Sequence, residues 1–161
     1  MKKRLSTCVA VLAVIGVSVL TAATRPPKLQ YEITTLPNGL TVVLSEDHST
    51  PIVHVELWYH VGSKDEKDGR RGFAHLFEHL MFSPTQNTRK GRFAEYVVRA
   101  GGVSNAYTTE DATVMWETLP AHYLRVALWF EADRMQGLRV SQEALRREVE
   151  VVKEEKKLRF D

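Results

Sequence analysis

The stretch Pro51–Gly62, PIVHVELWYHVG, alternates. Val53, Val55, Leu57, Tyr59 and Val61 fall on one side of an extended chain, and Ile52, His54, Glu56, Trp58 and His60 on the other. Side chains of a strand point alternately to its two faces, so this period of two predicts a strand in a sheet with one fully apolar side. His54 and His60 lie on the more polar side, where an imidazole is ordinarily solvated or hydrogen-bonded rather than ligating. A charged loop, Gly62–Arg71 (GSKDEKDGRR), then leads into RGFAHLFEHLMF, Arg71–Phe82.

There the period changes. On a helix each residue advances about 100°. With His75 at zero, His79 lies near about 40°, Phe82 near about 340° and Glu78 near about 300°, while Leu80, Phe73, Phe77 and Met81 fall at roughly 140–240°. The expectation is a helix with one apolar face and an opposite face carrying two imidazoles and a carboxylate. Histidines at i and i+4 can point at one metal ion, and Glu78 beside them is placed to take a proton from a bound water. A catalytic zinc site uses three protein ligands, so a third is required.

The flanking segments supply the rest of the fold. Leu29–Leu36 and Leu40–Glu46 read as strands around Pro37-Asn38-Gly39, with Asn-Gly as the hairpin signal. Ser83-Pro84 ends the His-bearing helix. A helix over Arg89–Ala100 follows, with Phe93, Val97 and Ala100 on its apolar face and Gly101 as its cap. Val103–Thr109 and Ala112–Leu119 form a second hairpin. Pro120–Gln136 reads as a helix with Pro120 at its first position and Gly137 just past its end. Its Leu124, Ala127, Leu128 and Met135 line a face that reads as plain core packing. The fold class is α+β, with an antiparallel-rich sheet of about five strands packed with helices on one side.

The third ligand is sought in Ser141–Asp161, a helix opened by Ser141 with Glu143 in its first turn. Taking Glu148 as zero, Ala144, Leu145, Val151, Val152 and Leu158 lie within roughly 80° of it, and Glu155, seven residues on, nearly eclipses it. Glu150 and Glu154 fall among Arg146, Lys153 and Lys157, on a solvated face. Glu148 and Glu155 are two carboxylates in an otherwise apolar stripe, and a buried carboxylate must be paired, hydrogen-bonded or ligated. They stand about 10.5 Å apart along the axis, too far for both to reach one ion directly. Helical phase leaves both as candidates.

Four stretches, in order, resemble the insulinase/pitrilysin family of zinc peptidases in its bacterial, processing-peptidase-like branch: GFAHLFEHLMF (Gly72–Phe82), GGVSNAYTTEDAT (Gly101–Thr113), ALWFEADRM (Ala127–Met135) and EVEVVKEEKK (Glu148–Lys157). H-x-x-E-H is the inverzincin pattern. The 76 positions between His79 and Glu155 fit the family's spacing. The resemblance implies one zinc ion on His75, His79 and Glu155, Glu78 as general base, and Glu148 as an accessory catalytic carboxylate. It implies an endopeptidase hydrolysing peptide bonds through a zinc-activated water. It also implies that the strand carrying Asn105 and Ala106 binds peptide or unfolded polypeptide as an added strand. The alternative within the family is a non-catalytic relative acting as an assembly or peptide-binding subunit; such relatives commonly lose ligands or the base, and all four positions are intact here. The chain stops at Leu158-Arg159-Phe160-Asp161 inside a helical pattern with no Gly or Pro stop. Full members are much longer, so the sequence reads as an N-terminal portion whose site is completed by later domains or a partner subunit.

The start reads as a secretory leader. Lys2, Lys3 and Arg4 precede an apolar run, Cys8–Leu20, and the small-residue site Thr21-Ala22-Ala23. Residues 1–23 are then leader, 24–28 a linker containing Arg25-Pro26-Pro27, and 29–161 the zinc-peptidase N-terminal domain. The expected location is exported, periplasmic or secreted; an uncleaved leader would anchor the chain in the inner membrane and be its only membrane contact. Removing the leader's three cations from the 22 basic residues leaves 19 against 20 acidic. That balance, with no basic patch interleaved with aromatics, predicts no nucleic-acid partner. Cys8 is the only cysteine and lies in the leader, so the mature chain has no thiol for catalysis or disulfides.

Overall fold

The alternation at residues 52–59 sets the architecture. The computed structural model describes residues 28–160, and the segment expected to be a leader, residues 1–23, lies outside them. Two compact units divide at Ser49 and Thr50. In the first, β1 (Glu32–Thr35) and β2 (Thr41–Leu44) form an antiparallel hairpin, Ile33 opposite Val43. Its turn is closed by Gly39 N–H donating to Leu36 O at 2.9 Å, within the expected Pro37-Asn38-Gly39 segment.

The second unit carries β3 (Ile52–Tyr59), β4 (Val103–Thr108) and β5 (Thr113–Pro120), an antiparallel sheet in the order β3-β5-β4. The five strands are therefore all antiparallel and shared between two sheets. Val53, Val55, Leu57 and Tyr59 stand opposite Leu119, Glu117, Met115 and Thr113, and all are buried or half-buried. Ile52, His54, Glu56 and Trp58 face out and are exposed. His54 is hydrogen-bonded, Nδ1 to Thr118 Oγ1 at 2.8 Å, and lies away from the His-bearing helix.

Helices cover the apolar face. They are α1 (Phe73–Leu80), α2 (Arg92–Arg99), α3 (Leu124–Gly137) and α4 (Gln142–Phe160). The core joins Val55 and Leu119 of the sheet to Val97 of α2 and Ala127 of α3, with Phe93, Ala100 and Tyr123 around them. The expected face of α2 is the one that packs. Gly101 and Gly102 close it, their N–H groups donating to Val98 O and Val97 O. Among the described residues no helix is long and apolar enough to cross a membrane.

The face Leu124, Ala127, Leu128 and Met135 does not form plain core packing, since Ala127 is buried and the other three are exposed. Two further expectations need correction. The third helix begins at Leu124 rather than Pro120. Pro120 ends β5 opposite Ile52, and a 3-10 turn, Ala121–Tyr123, intervenes. Pro120 itself is extended, at φ −55° and ψ 137°, so it closes the strand and helical backbone starts only after it. The other correction concerns α1. Ala74, Leu76, Glu78 and Leu80 are its buried residues, whereas Phe73 and Phe77, on the expected apolar face, are 44% and 61% exposed. α1 lies against α4, β4 and β5, so the edge carrying its chemical groups is turned inward.

Candidate metal centre

The loop before α1 sets its position. Gly72 precedes the helix at φ +92°, a left-handed conformation that costs glycine nothing. It has no side chain to cap the exposed N–H groups, and Glu66 does so from the loop. Glu66 Oε2 accepts from Gly72 N–H and Oε1 from Ala74 N–H, both at 2.8 Å. A carboxylate there also meets the positive end of the helix dipole. At the other helix, Ser141 Oγ accepts from Ala144 N–H at 3.0 Å, the expected cap of α4.

With both helices started in register, three side chains converge. The Nε2 atoms of His75 and His79 lie 3.2 Å apart. Glu155 Oε2 is 3.3 Å from His75 Nε2 and 3.5 Å from His79 Nε2. The three form the metal-capable cluster among the described residues. These separations test the fit directly. Donors held at about 2.0–2.1 Å in tetrahedral directions from one zinc ion are about 3.3–3.4 Å apart. The imidazole and carboxylate set is also one that zinc takes. The residues fit the ion.

Glu148 lies about two turns earlier on the same stripe, its Oε2 facing His79 Nδ1 at 3.6 Å. Its Oε1 accepts from Lys90 Nζ and Arg147 Nε, each at 3.2 Å. Burial alone would raise the Glu148 carboxyl, but the hydrogen bonds and charges of Lys90 and Arg147 outweigh it and hold the group below the usual carboxylate range. Glu150 and Glu154 are exposed and paired with Lys153 at 2.7 Å and Lys157 at 2.6 Å, as their helical phase required. The apolar stripe of α4 thins toward its end: Ala144 is buried, Val152 half-buried and Leu158 exposed.

Glu78 is 8% exposed, and its Oε2 accepts a hydrogen bond from Thr108 Oγ1 on β4. The Asn105 side chain points to the other face of the sheet and is exposed, while Ala106 is half-buried on the helix side. Thr109 N–H pairs with Ala112 O, so ladder alternation turns the backbone groups of Ser104, Ala106 and Thr108 to the open edge of β4. There Ala106 N–H donates to Asn105 Oδ1 at 2.9 Å. Sequence reading missed Glu66, Lys90, Arg147 and Thr108. Glu66 stood in a uniformly charged loop and Thr108 in a strand whose period does not say which helix it meets.

Three comparisons place the chain. Residues 41–159 match the model of the insulinase family, peptidase family M16, and the chain belongs to that family of zinc peptidases. It is similar to the zinc protease PqqE of Helicobacter pylori, 35% identical over 99% of this chain and 36% of that protein. It is also similar to a probable mitochondrial-processing peptidase subunit beta of Arabidopsis thaliana, 32% identical over 76% of this chain and 23% of that protein. Among solved structures, a protease from Helicobacter pylori superposes with a TM-score of 0.79 at 37% identity, covering 81% of this chain and 32% of the other. The chain thus spans roughly a third or less of the length of these relatives.

Proposed function

We propose that this chain carries the metal centre and general base of a zinc endopeptidase, with His75, His79 and Glu155 holding one zinc ion. The observation that supports this most directly is the spacing of the three donor atoms, 3.2–3.5 Å apart from two different helices. Zinc bound there supplies an acidified water and polarises a carbonyl. The chain's own part is positional. Glu78, one residue before a ligand and sheltered against β4, accepts the water proton and returns it to the departing amine. Glu148 faces the far nitrogen of His79 and orients that ring, the usual task of a carboxylate behind a metal-bound histidine. The open edge of β4 takes substrate as an added strand, with the Ala106 N–H exchanging Asn105 Oδ1 for a substrate carbonyl. Peptide or unfolded polypeptide is the substrate class this edge accepts, because backbone pairing reads little side-chain sequence. The leader pattern supports a location outside the cytoplasm, and the greater length of the relatives supports enclosure of the substrate by further polypeptide, in the same chain or a partner subunit.

The experiment is metal analysis with a peptide-hydrolysis assay. One zinc per chain, lost in His75→Ala and kept in Glu78→Gln, is the expected result, with hydrolysis abolished in both. Full zinc occupancy in His75→Ala overturns the ligand assignment, and normal turnover in Glu78→Gln overturns the base.

A further inference from the structure

We propose that Thr108 is the positioning residue of the general base, an assignment that rests on the peptidase reading of Glu78. Thr108 donates its hydroxyl proton to Glu78 Oε2, and this is the hydrogen bond made to Glu78's carboxylate among the described residues. Glu78 is almost fully buried, so water cannot stand in for that donor freely, and its loss leaves a charged oxygen unpaired. One hydroxyl donates once. With Oε2 engaged, Oε1 is the oxygen left to receive a proton, and the Thr108 bond survives that transfer because it sits on the other oxygen. The proton moves from water to Oε1 and then to the leaving amine; Thr108 keeps its own.

The bond is built into the fold from both ends. The Gly62–Gly72 loop grips the tip of the β4–β5 hairpin, with Ser63 N–H donating to Thr109 O and Lys64 N–H to Glu110 O, each at 3.0 Å. The approach is too close for any side chain at Gly62, where a Cβ would lie 2.3 Å from Glu110 O. The same loop reaches α1 through Glu66, which holds the N–H groups of Gly72 and Ala74. One segment therefore fixes the end of the strand that carries Thr108 and the start of the helix that carries Glu78. A contact so constrained serves placement of the carboxylate, and misplacing a reacting group by about 1 Å costs on the order of 100-fold in rate.

The test uses Thr108→Val, which keeps the shape and loses the hydroxyl, and Thr108→Ser, which restores it. Zinc affinity, the crystal structure of each zinc-loaded variant and peptide hydrolysis are measured together. Thr108→Val should bind zinc as the parent does and show Glu78 displaced or split between rotamers. Its kcat should fall by at least about tenfold with KM within about twofold. Thr108→Ser should restore both the rotamer and the rate. Glu78 in its parental conformer in Thr108→Val overturns the assignment whatever the turnover, and so does parental kcat in that variant while Glu78→Gln is dead. Parental turnover in Glu78→Gln brings down the peptidase reading instead, so the two failures are told apart.

Discussion

Glu155 and Glu148 differ by where their oxygens end. Glu155 Oε2 meets the Nε2 atoms of both histidines, and Glu148 Oε2 meets only the Nδ1 of His79. Glu155→Gln should therefore cost the most zinc affinity, because it removes a donor from the cluster itself. Glu148→Gln should cost roughly 10–100-fold, as changes behind a metal ligand do. Glu154→Gln should be nearly silent, since an exposed i,i+3 pair contributes only about 0.2–0.5 kcal/mol. Zinc titration of the three variants checks the order; release of metal by Glu154→Gln alone would sink it. Helical phase in the sequence had already set Glu150 and Glu154 aside. It left Glu148 and Glu155 equivalent, because phase describes direction around an axis and not the distance to another helix. Lys90 was illegible for the same reason: its partner, Glu148, is 58 residues away.

The His-bearing helix shows what local pattern can and cannot give. Its existence and the juxtaposition of His75 with His79 follow from the period alone. Which side is buried does not, because Phe73 and Phe77 make the back of α1 look like the core face and yet stand exposed. The inward side is decided by what α1 meets, the sheet and α4. Leu76 and Leu80 are the anchors, each contributing about 1.5–3 kcal/mol by full burial. The start of α1 is held by a residue outside it. Glu66→Ala should destabilise the fold by about 0.5–2 kcal/mol, the usual range for losing an N-terminal cap. Chemical denaturation measures this, and hydrogen exchange should show faster loss of protection at Gly72 and Ala74 than at Val97 in α2. Unchanged exchange at those two amides would mean the cap contributes nothing.

Beyond the metal centre, a buried polar cluster within residues 50–160 shapes how the fold responds to its surroundings. Zinc bound by α1 and α4 together should stabilise the native state by about 2.7 kcal/mol when free zinc is 100 times its dissociation constant. Thermal unfolding with and without chelator measures that link. The cluster lies in the core, where Glu117 of β5 and Glu131 and Arg134 of α3 are buried near Tyr59 of β3. Arg134 Nη2 pairs with Glu131 Oε1 at 3.1 Å and its guanidinium also covers the Phe93 ring. One guanidinium neutralises one carboxylate, so Glu117 and Glu131 cannot both stay charged there without penalty. Burial, then the charge of Glu131, push the Glu117 carboxyl up to about 8, against the partial opposition of Arg134. Burial also raises Glu131 and the Tyr59 hydroxyl. A folded-state pKa above the unfolded value means that the native state holds the extra proton. The stability it contributes is complete below the unfolded value of 4.5 and is lost as pH rises through about 8. At about 1.4 kcal/mol per pKa unit, the loss attributable to Glu117 is on the order of 5 kcal/mol. Glu117→Gln keeps the neutral form's shape and cannot ionise. Its stability relative to the parent should therefore rise steadily across this pH window, a difference that cancels the contribution of every group common to both proteins. Denaturation curves at half-unit pH steps from 4.5 to 9 measure it. Parallel stability profiles for the two proteins would mean that Glu117 is ionised in the core and that Arg134 balances it without a shared proton.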